Sequence, residues 1–512
     1  MIGRFGMGEV LSGWWSARGK PAEASVALAK SRYWRRALCC AVGLCAVLNI
    51  AVGCGGENRS SLRNNPRLVD DRANIVFVLA DDYDPTLLRA MPETRSGMRD
   101  RGVTLENAVI SLPMCCPSRA TILTGRYPHN HGVWYTRGTG SGWPAFHARG
   151  LEADTVATWL HAAGYRTFFA GKYLNGYDNT SYVPPGWDEW FGFLGEYPGE
   201  TYRLNENGAI QTYDRTGIHD TDLIARETET FIRDAKQPFF AYVAPNATHA
   251  PYYSAERHED DFSGATLPDL PSRNEEEVSD KPGYIRGQPA PTDEQLAGER
   301  AVYRARLRAA ESLDELVAGV LDALGSSGEL EDTYVIFWTD NGYHLAGTHR
   351  LPRGKHTPYQ EDTTVPMFVR GPGVPEGVVR RDLASNTDLA PTFAAIAGAD
   401  VPDTVDGRSL LPLLGQDAPG RWRTALLVES RAGFGEEPPE NMPAYAEIRT
   451  EDTTYVEYAT GERELYDLSR DPYQLDNLAR TVDQDRLSGL HERLAALRSC
   501  AATECREAED NR

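Results

Sequence analysis

Continuous apolar runs alternate along this chain with stretches whose apolar positions recur every third or fourth residue. The first run, Asn74-Ile75-Val76-Phe77-Val78-Leu79-Ala80, shows no polar alternation, which predicts a strand in a sheet covered on both faces. Similar runs follow at Arg166-Thr167-Phe168-Phe169, Phe239-Phe240-Ala241-Tyr242-Val243, Tyr334-Val335-Ile336-Phe337-Trp338 and Met367-Phe368-Val369. Between them a helix is expected from about Asp154 to Ala163, with Gly164 as its left-handed stop. Leu313, Leu316, Val317, Val320, Leu321 and Leu324 mark the buried stripe of another helix. Strands alternating with helices predict an α/β fold around a largely parallel sheet.

Two stretches depart from this rhythm. From Pro251 to Pro291 the chain is rich in proline and acid, without periodicity, and far longer than the usual loop of about 4 to 6 residues. It is either disordered or faces a substrate. From about Glu429 short β-prone pieces appear at 444–449, 453–458 and 464–467, followed by a helix from about Val482 to Arg498. These predict a small α+β C-terminal subdomain.

Each strand but the last is followed by polar or charged residues, where open α/β sheets place their sites. Asp81-Asp82 ends the first and Asp340-Asn341 the fourth. If these two strands are neighbours, three carboxylates and an amide oxygen converge and call for a cation. Ligation by oxygen alone favours calcium or magnesium over zinc or copper. Taken singly, either pair also fits an ordinary turn or capping role.

Composition is that of a globular protein, 41% apolar and 25% charged, which excludes a coiled coil, a collagen-like chain and wholesale disorder. Net charge is −21, and residues 1–53 carry seven Lys or Arg against two Asp or Glu, so the rest stands at −26. Such an acidic body argues against a nucleic-acid partner. Arg32, Arg35 and Arg36 precede an apolar run from Ala37 to Val52, which reads as an export signal. Its 16 residues fall short of the roughly 20 that a spanning helix needs. Ala51-Val52-Gly53-Cys54 resembles a bacterial lipoprotein processing site, with Cys54 acylated; simple secretion and an uncleaved anchor are the alternatives. Eight cysteines, Cys39, Cys40, Cys45, Cys54, Cys115, Cys116, Cys500 and Cys505, show no zinc-ligand spacing. In an oxidising compartment Cys500 and Cys505 are expected to pair.

The segment from Cys115 to Arg126 is the most informative. Pro117 fits a first helical position, Gly125 a C-cap, and Cys115 the helix N-terminus, where the dipole favours an anion and lowers a thiol pKa. Spacing alone leaves a reactive thiol and a buried structural cysteine as equal alternatives.

Cys115-x-Pro117-Ser118-Arg119, followed by Ala-x-x-Leu-Thr-Gly-Arg, resembles the signature of the type I, formylglycine-dependent sulfatases. The resemblance runs over most of the exported chain, through Asp81-Asp82, Gly171-Lys172, His249-Ala250-Pro251, Asp340-Asn341-Gly342, Lys355 and Glu464-Leu465-Tyr466-Asp467. Gly171-Lys172-Tyr173-Leu174-Asn175 and Asp340-Asn341-Gly342-Tyr343-His344 are most similar to the N-acetylglucosamine-6-sulfatase and heparan-sulfate sulfatase branch.

The resemblance implies an alkaline-phosphatase-like fold: a large mixed, mostly parallel sheet sandwiched by helices, with the C-terminal α+β subdomain. Joined to the export signal and the change of texture near Glu429, it divides the chain into a lipoprotein-type signal-bearing extension (1–53), a linker (54–72), a catalytic domain (73–428) and the subdomain (429–512). It also implies oxidation of Cys115 to formylglycine by a maturation enzyme, and Ca²⁺ held by Asp81, Asp82, Asp340, Asn341 and residue 115. The aldehyde hydrate would attack sulfur, with Asp340 as base, Arg119 orienting the hydrate, and Lys172, Lys355 and His249 neutralising charge or protonating the leaving alcohol. Asn175 and His344 would meet the substrate, while His129 and His131 are structural or one layer removed. Many sulfatases place an elimination base two residues after the position of Lys172; here it is Leu174, which leaves Asn175, another histidine or His249. The expected substrate is a sulfated small molecule or glycan, foremost a 6-O-sulfated hexosamine, since the acidic body repels long polyanions. An aryl sulfatase, a phosphonate or phosphate ester hydrolase and a glycan-binding lipoprotein without turnover are the competing readings.

Overall fold

The computed structural model describes residues 72–138, 140–195, 199–236, 238–417, 419–432 and 441–511. The export signal, Cys54 and the three cysteines before it lie outside the described residues.

Ten strands, numbered along the chain, form one sheet. Their order is β11 (Val378–Arg380), β2 (Val103–Leu105), β10 (Met367–Arg370), β9 (Thr333–Thr339), β1 (Asn74–Ala80), β8 (Phe239–Ala244), β4 (Arg166–Gly171), β5 (Glu189–Leu194), β6 (Thr201–Glu206) and β7 (Ala209–Asp214). The strands from β9 to β5 run parallel. Antiparallel pairings flank them on both sides. All five apolar runs expected as strands are strands, and β1 is buried along its whole length.

Side-chain alternation explains the burial of both faces. Phe77 on β1 packs its ring 5.3 Å from Phe393 of the helix Leu389–Ala397. Phe168 on β4 stacks 4.5 Å from Phe231 of the helix Asp220–Asp234. In register, Phe168 lies beside Ala241 and Ala241 beside Val76, so these two helices cover opposite faces. The long helix Asp293–Ser327 carries the expected stripe, with Leu313, Leu316, Val317, Val320 and Leu324 buried. The shorter expected helix spans Val156–Ala162, started by a capping box at Thr155.

A two-stranded ribbon joins β3 (Ala108–Val109) to β12 (Ala384–Ser385). The C-terminal subdomain is an antiparallel sheet of β13 (Leu426–Ser430), β14 (Tyr445–Arg449), β15 (Thr453–Tyr458) and β16 (Arg463–Asp467). Leu427, Ile448 and Tyr455 pack against Leu487, Leu494 and Leu497 of the helix Gln484–Ser499. On the other side Leu426, Val428 and Val456 meet Val278, Tyr284 and Ile285. The stretch from Pro251 to Pro291 is therefore ordered, and part of it serves as a floor for this sheet. Cys500 and Cys505 form the expected disulfide.

Candidate active site

The register that places β1 beside β9 sets Ala80 opposite Thr339, so Asp81-Asp82 and Asp340-Asn341 leave the sheet side by side. All four side chains are buried. Asp82 adopts a left-handed φ of 57°, and its N–H points to Oδ1 of Asp340 at 3.3 Å. Thr248 supports the turn by donating its N–H to the Asp81 carbonyl at 2.8 Å.

The helix Cys115–Thr124 delivers residue 115 to this point. Met114, not Cys116, is its N-cap, so Pro117 stands third in the helix rather than first. This costs nothing, because the missing proline N–H is one that the first turn leaves unbonded. Gly125 closes the helix with φ of 67°, the left-handed stop expected. Sγ of Cys115 lies 3.6 Å from Oδ1 of Asp81, 3.9 Å from Oδ1 of Asp82 and 2.8 Å from Nζ of Lys355. The expectation of a lowered thiol pKa fails: burial pushes the Cys115 thiol well up despite Lys172 and Lys355.

Three cations meet the three carboxylates. Lys172, after β4, places Nζ 2.6 Å from Oδ2 of Asp81, and Lys355 places Nζ 2.6 Å from Oδ1 of Asp82. Arg119 donates from Nε to Oδ2 of Asp340 at 2.8 Å and from Nη1 to the Lys172 carbonyl at 2.6 Å. Burial would raise Asp81 and Asp82, but Lys172, Lys355, His249 and, for Asp81, Arg119 hold them below the ordinary value. Burial and the neighbouring Asp81 raise Asp340. Charge repulsion alone therefore does not demand a metal, because the chain supplies its own compensation. The case for an ion rests on the donors. Asn341 donates from Nδ2 to Asp82 at 2.7 Å, while its Oδ1 is buried without a hydrogen-bond partner among the described residues. An orphaned amide oxygen beside carboxylates fits a hard, oxygen-ligated cation. Asp81, Asp82, Cys115 and His249 bring ligand atoms within 4.8 Å of one another.

His249 points Nε2 at Oδ2 of Asp82, 3.6 Å away, with Nδ1 2.6 Å from the Ala250 carbonyl. Asn175 is buried beside Lys172 and Tyr173 in the lining of a small cleft that also includes Asn246. His344 is buried too, but Nδ1 lies 2.8 Å from Oδ1 of Asp362 and Nε2 2.8 Å from the Pro352 carbonyl. Both ring nitrogens are thereby engaged within the protein. His129 bridges Glu429 and the Cys500 carbonyl, and His131 lies between Thr121 and the Val133 N–H. Neither reaches the carboxylates by these contacts. Pro268, Leu270 and Arg273 of the long acidic stretch line a cavity of about 900 Å³ with Tyr343 and His344, and none of the catalytic candidates lines it.

Sequence reasoning missed Arg306, which donates from Nη2 to the Asp82 carbonyl and to Asp84, both at 2.7 Å. It occupies a stripe position on the long helix, seven residues before Leu313, where an apolar side chain is expected. An arginine at a stripe position, where the helix buries its side chains, was the available signal.

Comparison with known proteins agrees with this geometry. The sulfatase family model matches residues 73–399, and the model for the C-terminal region of N-sulphoglucosamine sulphohydrolase matches residues 347–500. The N-acetylglucosamine-6-sulfatase of Capra hircus is 32% identical over 476 residues, covering 85% of each chain. The extracellular sulfatase SULF-1 homolog of Drosophila melanogaster is 36% identical over 373 residues, covering 70% of this chain and 33% of that protein. The chain spans about a third of that relative's length and about half of the Caenorhabditis elegans one. A solved structure in complex with its substrate D-glucosamine-2-N,6-O-disulfate superposes with a TM-score of 0.72 at 20% identity, covering 86% of this chain and 99% of that one. A buried Cys-x-Pro-Ser-Arg helix start enclosed by paired acids and two lysines, with the family model matched across it, makes this chain a member of the sulfatase family.

Proposed function

We propose that the protein hydrolyses sulfate esters of sugars, with Cys115 oxidised to formylglycine and Ca²⁺ held by Asp81, Asp82, Asp340, Asn341 and residue 115. The observation that carries this reading is the enclosure of residue 115 by Lys355, Asp81 and Asp82, with Lys172 and Arg119 behind them. Bound there, the ion supplies Lewis-acid polarisation of a sulfuryl oxygen, and the hydrated aldehyde supplies a hydroxyl nucleophile.

The chain's own residues do the rest. Lys172 and Lys355 keep fixed positive charge where the sulfuryl oxygens gain negative charge, in a site that excludes bulk water. Arg119 donates to Oδ2 of Asp340 and so fixes the carboxylate assigned to accept a proton from the nucleophile. The His249 Nδ1 proton is directed to the Ala250 carbonyl, and a proton carried on Nε2, 3.6 Å from Oδ2 of Asp82, would pass to the departing alkoxide. With Leu174 in place of a histidine, the same Nε2, once it has given up that proton, would take one from the second hydroxyl of the hydrate as sulfate is eliminated.

An exposed 6-O-sulfate on a terminal hexosamine is the proposed target. Similarity to N-acetylglucosamine-6-sulfatases supports it, as does a net charge of −26 beyond residue 53, which repels long sulfated polymers at low salt. Export, by lipid anchor at Cys54 or by secretion, accords with relatives named as extracellular sulfatases. No helix among the described residues is long and apolar enough to cross a membrane. The test compares kcat/KM for N-acetylglucosamine-6-sulfate, heparin, an aryl sulfate and a phosphonate monoester at one ionic strength. The sugar monosulfate should lead; preference for heparin that persists at low salt overturns the substrate, and preference for the phosphonate overturns the reaction.

A further inference from the structure

Lys355, which touches both Asp82 and residue 115, belongs to a segment gripped from three sides. Before it, Gly354 exchanges two backbone hydrogen bonds with His344, at 2.8 and 2.9 Å. After it, Thr357 donates its N–H to Oδ2 of Asp362 at 2.9 Å. Between them His356 is buried and takes a left-handed φ of 82°, a conformation unfavourable for a side chain with a Cβ. Two residues of the C-terminal sheet hold it there. The Ser430 hydroxyl lies 2.5 Å from Nε2 of His356, and the Tyr445 hydroxyl donates to the His356 carbonyl at 3.1 Å. Ser430 and Tyr445 are direct cross-strand partners on β13 and β14, so one rung of the subdomain grips both the ring and the backbone of the residue beside Lys355.

We infer that Ser430 and Tyr445 are positioning residues for Lys355, and that seating this lysine is a catalytic task of the C-terminal sheet. The inference rests on the sulfatase reading only for its kinetic consequence. An ammonium stabilises developing charge only where it is held, and a misplacement of about 1 Å costs as much as about 100-fold in rate. Releasing His356 lets its backbone leave the left-handed region, and the adjoining Lys355 moves with it. The Ser430 hydroxyl also lies 3.0 Å from the Arg431 carbonyl, and none of these hydrogen bonds reaches a carboxylate of the site.

The test uses Tyr445→Phe, Ser430→Ala and Ser430→Thr in the full chain, with melting temperature as a check on folding. Tyr445→Phe removes one oxygen and leaves the ring in the core. Two readouts are compared. The first is amine labelling of Lys355 under native conditions, followed by peptide mass spectrometry with Lys172 as internal reference. The second is steady-state turnover of N-acetylglucosamine-6-sulfate or an aryl sulfate. Tyr445→Phe and Ser430→Ala should label Lys355 about 5- to 20-fold faster relative to Lys172 and lower kcat by about 10- to 100-fold with little change in KM; Ser430→Thr should restore both. Unchanged Lys355 labelling in Tyr445→Phe and Ser430→Ala overturns the inference, as does kcat within twofold of the parent. If the parent turns over no sulfate ester, the function reading fails while the labelling still decides the positioning role.

Discussion

Nε of Arg119 donates to Oδ2 of Asp340 at 2.8 Å with both side chains completely buried. Arg119 stands one helical turn beyond Cys115, so this bond fastens the helix carrying residue 115 to the end of β9. Breaking it leaves the Asp340 carboxylate buried without its cation and weakens the hold on Asp81, which lies 3.7 Å from Nη2. Arg119→Ala is expected to lose about 3 to 5 kcal/mol of stability, the usual cost of orphaning one member of a buried pair. Urea unfolding measures it, and a loss below about 1 kcal/mol contradicts the proposed tie.

Residue 115 should be formylglycine in active protein while Cys116 remains a thiol. Cys116 is buried and its thiol is pushed up to about 12 by burial, so it stays protonated and unreactive at neutral pH. Peptide mass spectrometry of fully active material decides; an unmodified Cys115 there sinks the assignment.

One Ca²⁺ per chain is expected. Asn341→Leu, which removes the orphaned Oδ1 at similar volume, should lower calcium affinity by about 10- to 100-fold, and Asp81→Ala should abolish stoichiometric binding. Equilibrium dialysis with elemental analysis checks both. Stoichiometric zinc in the parent, or undiminished calcium in Asp81→Ala, overturns the ligand set.

The parts of this architecture that the chain announces are those buried on both faces. β1 and β9 read as strands because they cannot alternate, and their acidic ends could be paired before their adjacency was known. β6 and β7 gave no such signal, since they form an edge hairpin and β7 is mostly exposed. At the site, the acids and lysines stand beside strand ends and are legible there. Arg306, Thr248 and the Ser430–His356 contact join polar residues across 58 to 224 positions of sequence, and no periodicity encodes such a meeting. The direction of the Cys115 shift was misread for a related reason: helix position is local, while burial is conferred by the whole fold.

His131 gives stability a pH dependence away from the metal ligands. Burial, with a smaller contribution from His129, pushes its pKa down to about 3, against an ordinary value of 6.5. The folded state therefore binds fewer protons than the unfolded chain between those limits. Its contribution is complete above about pH 6.5 and is lost as pH falls toward 3, at about 1.4 kcal/mol per pH unit. His131→Gln should be less stable at pH 7 yet lose less on acidification, narrowing the gap by roughly 1 to 2 kcal/mol between pH 7 and 5. Parallel urea curves at both pH values test this, and an unchanged gap refutes it.

The enclosure of Cys115 sets a clock on the oxidation proposed for it. The side chain is 1% exposed in the finished fold, and Lys355, which lies against its sulfur, comes 240 residues later in the chain. At about 5 to 20 residues per second, synthesis takes roughly 12 to 48 s to span that distance. A catalyst of that proposed oxidation would have to reach a nascent or unfolded chain, so the rate of folding, and not only the supply of the catalyst, would govern what fraction of molecules becomes competent. A substitution that speeds closure of β9 onto β1 would therefore raise the yield of folded protein and lower its specific activity.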